Sequence, residues 1–289
     1  MEMQRLCWIN GQLAPPSEAT VSVFDHGLLY GDGVFEGLRF YQGKVFRLAE
    51  HLARLWRSAT VLRIAIPYSE VELTAAIVGL VRDCGMPNGY VRVIVTRGIG
   101  KLGIDPRSCK HPSVIVLLDE IAVVDEETRR MGARVVVAST RRLAPDGLDP
   151  RIKSLNYLNP ILAKWEAINA GADEAIMLNA QGFVCEGSVD NIFIVKNATL
   201  MTPPESDGAL QGITREAIIE LARQEGIPYH ARHLTTYDLY TADECFLTGT
   251  AAELIPVREI DGRTLPQSCG TVFAKLNNKY KELTQREPA

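Results

Sequence analysis

The sequence lacks any cluster of residues that could bind a metal or form disulfides. Its six cysteines lie singly, with no CxxC pair and no Cys/His group, at Cys7, Cys84, Cys109, Cys185, Cys245 and Cys269. Structural zinc sites and disulfide frameworks both need such residues at short, repeated spacings. We therefore expect reduced thiols, as in a cytoplasmic protein, and no bound metal.

The sequence also lacks an excess of positive charge and any long hydrophobic run. Its 31 Lys and Arg residues against 35 Asp and Glu give a net charge of −4, which disfavours nucleic acid or an anionic membrane as a partner. No stretch approaches the length of a membrane span, and the amino terminus contains no apolar core of signal-peptide length. These absences favour a cytoplasmic location.

The glycine-rich run 25–37 lacks the GxGxxG spacing of a dinucleotide-binding fold. Its four glycines can each adopt positive φ and so bring the backbone close to another group. No helix follows at the spacing of a Rossmann unit. The run indicates a close approach of backbone to a ligand or a side chain, without supporting a dinucleotide cofactor.

At 289 residues, the chain fits two domains better than one hydrophobic core. We predict a small α+β domain over 1–118, a charged linker over 119–131, and a larger domain over 132–289 with a barrel-like sheet and helices. In the first domain, periodicity and turn signals predict hairpins at 7–13 and 38–46, strands at 21–24, 90–96 and 113–118, and helices at 48–62 and 69–84.

In the second domain, short strands alternate with turn signals, which favours a meandering sheet or barrel over doubly wound βαβ units. The predicted strands lie at 133–139, 175–179, 182–185, 191–195 and 243–249, and the predicted helices at 158–170 and 212–226. The helix 158–170 is indicated by apolar residues at Leu158, Ile161, Leu162, Trp165 and Ile168.

Lys153 precedes that helix and stands between Ile152 and Leu155 rather than in a run of charges. It has two interpretations. A solvated lysine would lay its stem along apolar surface and keep its charge in water. A lysine in a partly apolar pocket would instead be a Schiff-base nucleophile.

Four further features also have both a structural and a functional interpretation. Glu186 could be a solvated turn residue or a buried carboxylate, and the stretch 210–215 could form a simple helix cap or an anion site. The small residues 248–252 end a strand, and Arg54 lies on a helix face that water usually covers. None of these features is specific alone.

In combination, the motifs resemble those of class IV pyridoxal-phosphate aminotransferases over residues 8–263. The order Glu186…Asn191-Ile-Phe, Leu200-x-Thr202 and Leu210-x-Gly212-Ile-x-Arg215 is similar to that family's signature. Further similar stretches lie at 30–37, 47–55, 153–157 and 248–250. The resemblance implies a two-domain α/β (α+β) fold of pyridoxal-phosphate fold type IV, with pyridoxal 5′-phosphate in the interdomain cleft. It also implies a homodimer or a larger homo-oligomer.

The resemblance also implies roles for individual residues. Lys153 would be the Schiff-base lysine, Glu186 would face the pyridine nitrogen, and Tyr157 would bond the ring hydroxyl. The phosphate would be held by Arg54, Ile213, Thr214 and Thr250, and the remaining cofactor-binding residues would be Ser188, Asn191 and Gly212. The substrate would be bound by Tyr30, Phe35, Arg39, Tyr90, Arg92, Thr250 and Ala251.

Three reactions within the family remain open. The stretches 35–39 and 90–92 resemble a branched-chain L-amino acid transaminase, which transfers the amino group of Leu, Ile or Val to 2-oxoglutarate. The loop 98–103 departs from the commonest branched-chain pattern, so a D-amino-acid or (R)-amine transaminase is the alternative. Aminodeoxychorismate lyase chemistry uses the same cofactor constellation and is disfavoured by the substrate-side residues alone.

Overall fold

The computed structural model describes residues 6–120 and 124–286, and these form two compact units. Of the described residues, 6–120, 152–156 and 284–286 belong to the first unit, and 124–151 and 157–283 to the second. Part of the predicted linker, 121–123, lies outside the described residues, and the rest of it includes the helix Glu126–Met131. The predicted domain limits and the barrel-like sheet of the second domain stay a prediction.

The first unit is built on a six-stranded sheet in which every neighbouring pair is antiparallel. The strand order is β2-β1-β6-β5-β3-β4. Its elements are β1 (Cys7–Ile9), β2 (Gln12–Ala14), α1 (His26–Tyr30), β3 (Gly33–Tyr41), β4 (Lys44–Val45), α2 (Leu48–Val61), α3 (Glu70–Asp83), β5 (Asn88–Thr96) and β6 (Ser113–Asp119). The two predicted hairpins and both predicted helices are confirmed.

The core of the first unit lies between the sheet and helices α2 and α3. Leu52 and Leu55 of α2 pack against Leu38 of β3, and all three are fully buried. Helix α3 begins where a capping box predicts, because the Ser69 hydroxyl accepts the Glu72 N–H and the Glu72 carboxylate accepts the Ser69 N–H. The cap of α3 and the apolar faces of α2 and α3 therefore predict the same packing.

The strand predicted at 21–24 is wrong. Ser22 turns the chain there, since its hydroxyl accepts the Phe24 N–H and its carbonyl accepts the Asp25 N–H. Serine side chains offer the backbone this alternative to a strand ladder. The alternating pattern is real, but Val23 and Phe24 are exposed rather than buried on one face.

The second unit contains a nine-stranded mixed sheet with the order β12-β11-β10-β13-β14-β7-β8-β9, and β15 pairs with β14. Its strands are β7 (Ala133–Val137), β8 (Glu174–Leu178), β9 (Val184–Gly187), β10 (Asn191–Lys196), β11 (Thr199–Thr202), β12 (Tyr229–Ala231), β13 (Glu244–Gly249), β14 (Glu253–Ile260) and β15 (Arg263–Thr264). Its helices are α4 (Glu126–Met131), α5 (Leu158–Asn169), α6 (Ile213–Gln224), α7 (Thr236–Tyr240) and α8 (Thr271–Arg286), whose last residues join the first unit.

The expectation of a meandering sheet rather than βαβ units needs correction at two places. Strands β7 and β8 are parallel neighbours with α5 on the connection between them, and β11 and β12 are parallel neighbours with α6 on theirs. Parallel neighbours need such a crossover, whereas hairpin turns can join only antiparallel strands. Strands β10, β13 and β14 lie side by side in the sheet, and each neighbouring pair is antiparallel.

Helix α5 exposes the apolar residues that predicted it. Leu158, Ile161, Leu162, Trp165 and Ile168 are each between 48% and 75% exposed, while the buried side chains of the helix are Pro160, Ala163 and Ala167.

Among helices in the described part of the chain, none has the length and apolar content needed to cross a membrane.

Candidate active site

Lys153 is held against the edge of the first unit's sheet. The Phe35 N–H donates to the Lys153 carbonyl at 2.9 Å, and the Leu155 N–H donates to the Gly33 carbonyl at 3.0 Å. The Lys153 N–H is bound by the Ser58 hydroxyl of α2 at 3.2 Å. Its Nζ lies 4.6 Å from the centroid of the Phe35 ring, and the residue is half-buried. This environment matches the pocket interpretation of the lysine better than the solvated one.

One face of β3 and β5 gathers most of the predicted substrate-binding residues. The register places Arg39 opposite Tyr90 and Gly37 opposite Arg92, and opposite residues of antiparallel strands share a face. The Arg92 guanidinium lies 4.5 Å from the Phe35 ring centroid and 5.4 Å from that of Tyr90. An amine, two aromatic rings and a guanidinium therefore lie together in the first unit.

Tyr30 is anchored differently from these residues. It ends helix α1, and its hydroxyl accepts the N–H of Gly103 at 2.7 Å. This bond ties α1 to the loop 98–103, the stretch in which the sequence departs from the commonest branched-chain pattern. The remaining two predicted substrate residues, Thr250 and Ala251, belong to the second unit.

Gly37 determines where the Tyr90 hydroxyl can lie. A Cβ at position 37 would stand 2.0 Å from the Tyr90 hydroxyl oxygen, a distance that forces the ring to move. Moving the Tyr90 ring disturbs a predicted contact with the substrate, and such a loss costs about 1.4 kcal/mol or more of binding free energy. We therefore expect Gly37→Ala to raise KM for the amino acid by about 10-fold. Steady-state kinetics check this prediction. Gly43→Ala is the control for a mutated glycine, since nothing lies within 4 Å of its Cβ, although its φ of +75° makes it the more strained site. A KM as low as that of the parent would contradict the role of Gly37.

Arg54, a predicted phosphate ligand, lies in a buried cluster with Glu36 and His51. Its Nε and Nη2 donate to the two oxygens of the Glu36 carboxylate at 2.6 and 2.9 Å. His51 Nδ1 lies 2.8 Å from Glu36 Oε2, and all three side chains are at least nine-tenths buried. A two-point contact fixes the plane of a guanidinium, so the cluster orients Arg54.

The cluster also determines how its groups titrate. Burial alone would raise the pKa of Glu36, but the charge of Arg54 and the bonds from Arg54 and His51 outweigh it and hold that pKa well below its usual range. Burial lowers the pKa of His51, and the charges of Arg54 and Lys153 lower it further, against the opposing effect of Glu36. His51 is therefore a neutral imidazole that donates its Nδ1 proton to Glu36.

Acidification is expected to destabilise the first unit through His51. A depressed folded-state pKa means that the unfolded chain binds the proton first, so stability is present above about pH 6.5 and is lost as the pH falls below it. The loss is about 1.4 kcal/mol for each pH unit in which only the unfolded state is protonated. Urea unfolding at pH 7 and pH 5 measures it. His51→Asn keeps a donor near Glu36 and cannot titrate, so its loss should be smaller; an equal loss in both proteins would assign the effect elsewhere.

Glu186 is a buried carboxylate on β9 of the second unit. Its Oε2 accepts from Asn191 Nδ2 at 3.1 Å and from the Leu210 N–H at 2.9 Å. Its Oε1 lies 2.6 Å from Nη2 of Arg142, and the residue is 5% exposed. A carboxylate excluded from water and supplied with donors suits a charged role rather than that of a solvated turn residue.

The start of helix α6, where the phosphate site is predicted, lies next to this carboxylate. Gly212 is the N-cap, and the backbone N–H groups of Ile213 and Thr214 lie in the first turn, where no intrahelical acceptor exists. Asn191 also donates to the Leu210 carbonyl at 2.9 Å. A Cβ at position 212 would stand 1.9 Å from Asn191 Oδ1, so only glycine permits this close packing.

The remaining predicted cofactor residues of the second unit are Tyr157, Ser188 and Thr250. Ser188 is buried, and its N–H donates to Glu174, while Tyr157 is the N-cap of α5. Thr250 follows β13, whose Thr248 lies opposite Asn191. Within residues 6–120 and 124–286, the buried Thr248 hydroxyl has no hydrogen-bond partner. A polar ligand near Asn191 and α6 would therefore meet an unsatisfied group.

The structure thus distributes the predicted residues between the two units. The first holds Tyr30, Phe35, Arg39, Arg54, Tyr90, Arg92 and Lys153, and the second holds Tyr157, Glu186, Ser188, Asn191, Gly212, Ile213, Thr214, Thr250 and Ala251. Sequence reasoning missed Glu36, His51 and Arg142 as parts of the site. The motifs around 30–37 and 47–55 contain the first two, whereas Arg142 carries no local signal.

Each unit offers groups that fit pyridoxal 5′-phosphate. The half-buried amine of Lys153 in the first unit suits its aldehyde, and the buried carboxylate of Glu186 and the start of α6 in the second unit suit its ring nitrogen and its phosphate. The fold and these residues are typical of an enzyme of the pyridoxal-phosphate class.

Comparison with known proteins gives the family. The family model described as Amino-transferase class IV matches residues 33–260. The putative branched-chain-amino-acid aminotransferase of Methanocaldococcus jannaschii is 49% identical over 277 residues, covering 96% of this chain and 95% of that protein. The chain belongs to the class IV aminotransferases and is a transaminase that depends on pyridoxal 5′-phosphate and acts on amino acids.

Solved structures of relatives share the fold. The branched-chain amino acid aminotransferase of Escherichia coli superposes with a TM-score of 0.94 at 35% identity, covering 97% of this chain and 95% of that one. The T.th. branched-chain amino acid aminotransferase, complexed with N-(5′-phosphopyridoxyl)-L-glutamate, gives a TM-score of 0.92 at 39% identity, covering 99% and 96%. The expected type IV fold and cofactor are confirmed.

Proposed function

We propose that the protein transfers the amino group of a branched-chain L-amino acid, Leu, Ile or Val, to 2-oxoglutarate. The observation that carries this proposal is the shared face of the first unit, where the Lys153 amine lies over Phe35 beside Arg92 and Tyr90. An apolar ring suits an aliphatic side chain, and a guanidinium suits a carboxylate. The names of the relatives support the branched-chain substrate, and the glutamate adduct of the T.th. enzyme supports 2-oxoglutarate as acceptor.

Lys153 performs the central steps in this proposal. Its amine would hold the cofactor through the aldehyde and, once the amine of the substrate takes its place, would serve as the general base. In that role Nζ would take the proton from Cα of the amino acid. The bound cofactor supplies an electron-withdrawing ring that accepts the electrons released at Cα. The Phe35 ring covers Nζ on one side and limits the access of water.

The other residues hold the cofactor in register. The Glu186 carboxylate would keep a proton on the ring nitrogen, and the Tyr157 hydroxyl would bond the ring hydroxyl. The first turn of α6, Thr250 and Arg54 would bind the phosphate, because the helix dipole and a cation suit a dianion. Binding energy from the phosphate, which does not react, is thereby used to position the ring.

Half-reactions with single amino donors test which substrate the enzyme prefers. The purified enzyme is mixed with L-leucine, D-alanine or an (R)-amine in the absence of an oxo acid, and the change in cofactor absorption is timed. We expect L-leucine to react at least about 10²-fold faster than D-alanine, because a site built for one arrangement of carboxylate and side chain leaves polar groups unpaired with the other. Recovery of the original spectrum on adding 2-oxoglutarate tests the acceptor. A faster reaction with D-alanine would replace this proposal by the D-amino-acid one.

We also propose that the protein is a cytoplasmic homodimer, with α5 on the subunit interface. Five large apolar side chains on one helix are exposed, a pattern typical of surfaces that another protein covers. Sedimentation should give a dimer for the parent and a weaker one for Leu162→Glu. Val71→Glu on α3, where the side chain is 77% exposed, is the matched control and should not change the mass. A monomeric parent would contradict the proposal.

A further inference from the structure

Arg142 lies beside the reaction machinery without belonging to any motif of the sequence. Its Nη2 is 2.6 Å from Glu186 Oε1, and its side chain is only 12% exposed. Its own backbone N–H donates to the Leu178 carbonyl of β8 at 2.9 Å. Few arginines are buried to this extent without a partner of opposite charge, and here the partner is the carboxylate assigned to the ring nitrogen.

The donors around Glu186 leave it one direction in which to accept. Each carboxylate oxygen has about two lone-pair sites. Those of Oε2 are occupied by Asn191 Nδ2 and the Leu210 N–H, and one site of Oε1 is occupied by Arg142. Within the described part of the chain no other donor reaches Oε1, so one of its lone-pair sites is left for a protonated pyridine nitrogen.

Arg142 also ties Glu186 to the approach of helix α6. Its Nε donates to the Gly208 carbonyl at 3.3 Å, and Gly208 lies two residues before Leu210. Leu210 in turn contacts Glu186 and Asn191, and Asn191 packs against Gly212. The group assigned to the ring nitrogen and the helix start assigned to the phosphate are therefore connected through one hydrogen-bonded network.

We propose that Arg142 is a positioning residue that acts through Glu186. It aims Oε1 at the ring nitrogen and fixes the distance between that oxygen and the α6 phosphate site. It also compensates the buried charge of Glu186, since a buried ion pair is far less costly than a buried charge without a partner. Arg142 has no contact with the substrate in this proposal, which rests on the role of Glu186 in the proposed function.

The test is a double-mutant cycle with Arg142→Met and Glu186→Gln. We expect Arg142→Met to weaken pyridoxal 5′-phosphate binding by about 10- to 100-fold. It should also reduce the visible circular dichroism of the bound cofactor, which reports its fixed orientation. Its kcat should fall about 10-fold or more while KM for L-leucine stays near that of the parent. Because Arg142 acts through Glu186, the double variant should be no slower than Glu186→Gln alone.

The pair Arg134 and Glu259 provides the matched control. It joins β7 to β14 at 3.2 Å in a more exposed position, so Arg134→Met and Glu259→Gln should leave dichroism and cofactor affinity unchanged. If Arg142→Met does not fold, Arg142→Lys carries the test. A lysine keeps the charge but cannot reach both Glu186 and Gly208, so its cofactor affinity should lie a few-fold below that of the parent.

The outcomes separate this inference from the proposed function. If kcat of the double variant falls by the product of the two single effects, the role of Arg142 is overturned. An Arg142→Met enzyme with unchanged dichroism and cofactor affinity would also overturn it. An Arg142→Lys protein identical to the parent in both measurements would do the same. If Glu186→Gln itself retains the activity of the parent, the role of Glu186 fails, and the inference about Arg142 fails with it.

Discussion

Replacing Lys153 with alanine is expected to abolish turnover and the absorption band of the covalently attached cofactor. The variant loses the only amine that the proposal assigns to the cofactor aldehyde, and it also loses the general base that moves the Cα proton. Because general acid–base catalysis alone contributes roughly 10²- to 10⁴-fold, the combined loss should be at least about 10⁴-fold in kcat. The absorption spectrum and a single-turnover assay with L-leucine measure the two losses separately.

Lys44→Ala is the control for this experiment. Lys44 belongs to the same unit but lies exposed on β4, so its removal should change neither the spectrum nor the rate. The Lys153→Ala protein should still fold, because its backbone bonds to Phe35 and Ser58 do not involve the side chain. A folded variant that retains the band or measurable turnover would refute the assignment of Lys153.

The second large effect is expected for Glu186→Gln. Glutamine has the same shape but no charge, so it cannot stabilise the proton on the ring nitrogen, and the ring becomes a poorer acceptor of electrons. We expect cofactor to remain bound through the phosphate site and kcat to fall roughly 10²-fold or more, the usual size for the loss of one preorganised electrostatic partner. Cofactor content and kcat measured on the same preparation check both halves of this expectation.

Part of the Glu186→Gln effect will come from the partners left behind. Arg142 becomes a buried charge without its carboxylate, which typically costs about 3–5 kcal/mol of stability when one member of a buried pair is removed. Thermal unfolding therefore has to accompany the kinetics. Glu259→Gln, whose pair with Arg134 is more exposed, should lower neither kcat nor the unfolding midpoint appreciably. Equal kinetic effects of the two substitutions would contradict a specific role for Glu186.

Most of the fold follows from local patterns in the sequence. Helix α3 shows why, because its capping box and its apolar face both lie within residues 69–84 and need no distant partner. The strand predicted at 21–24 failed for an equally local reason, since the Ser22 side chain competes for the backbone. The crossovers β7–α5–β8 and β11–α6–β12 were missed because strand spacing does not reveal which strands become neighbours.

The site was predictable where its residues belong to motifs and hidden where they act through space. Lys153 and Glu186 stand in recognisable stretches. Arg142 could not be identified, because its contacts with Glu186, Gly208 and Leu178 form only when the chain folds. The exposed face of α5 shows the same limit, since an apolar period predicts burial, whereas the folded chain itself leaves these side chains exposed.

The pairing of residues 152–156 with β3 has a consequence for biosynthesis. The Lys153 N–H meets the Ser58 hydroxyl across 95 positions of chain, so the earlier residue is made well before its partner. At roughly 5–20 residues per second, this segment emerges about 5–20 seconds after α2. Until then the nascent first unit lacks the segment whose backbone pairs with Gly33 and Phe35. Under the proposed role of Lys153, covalent attachment of the cofactor is thus postponed until translation has passed well beyond the first unit's own sheet.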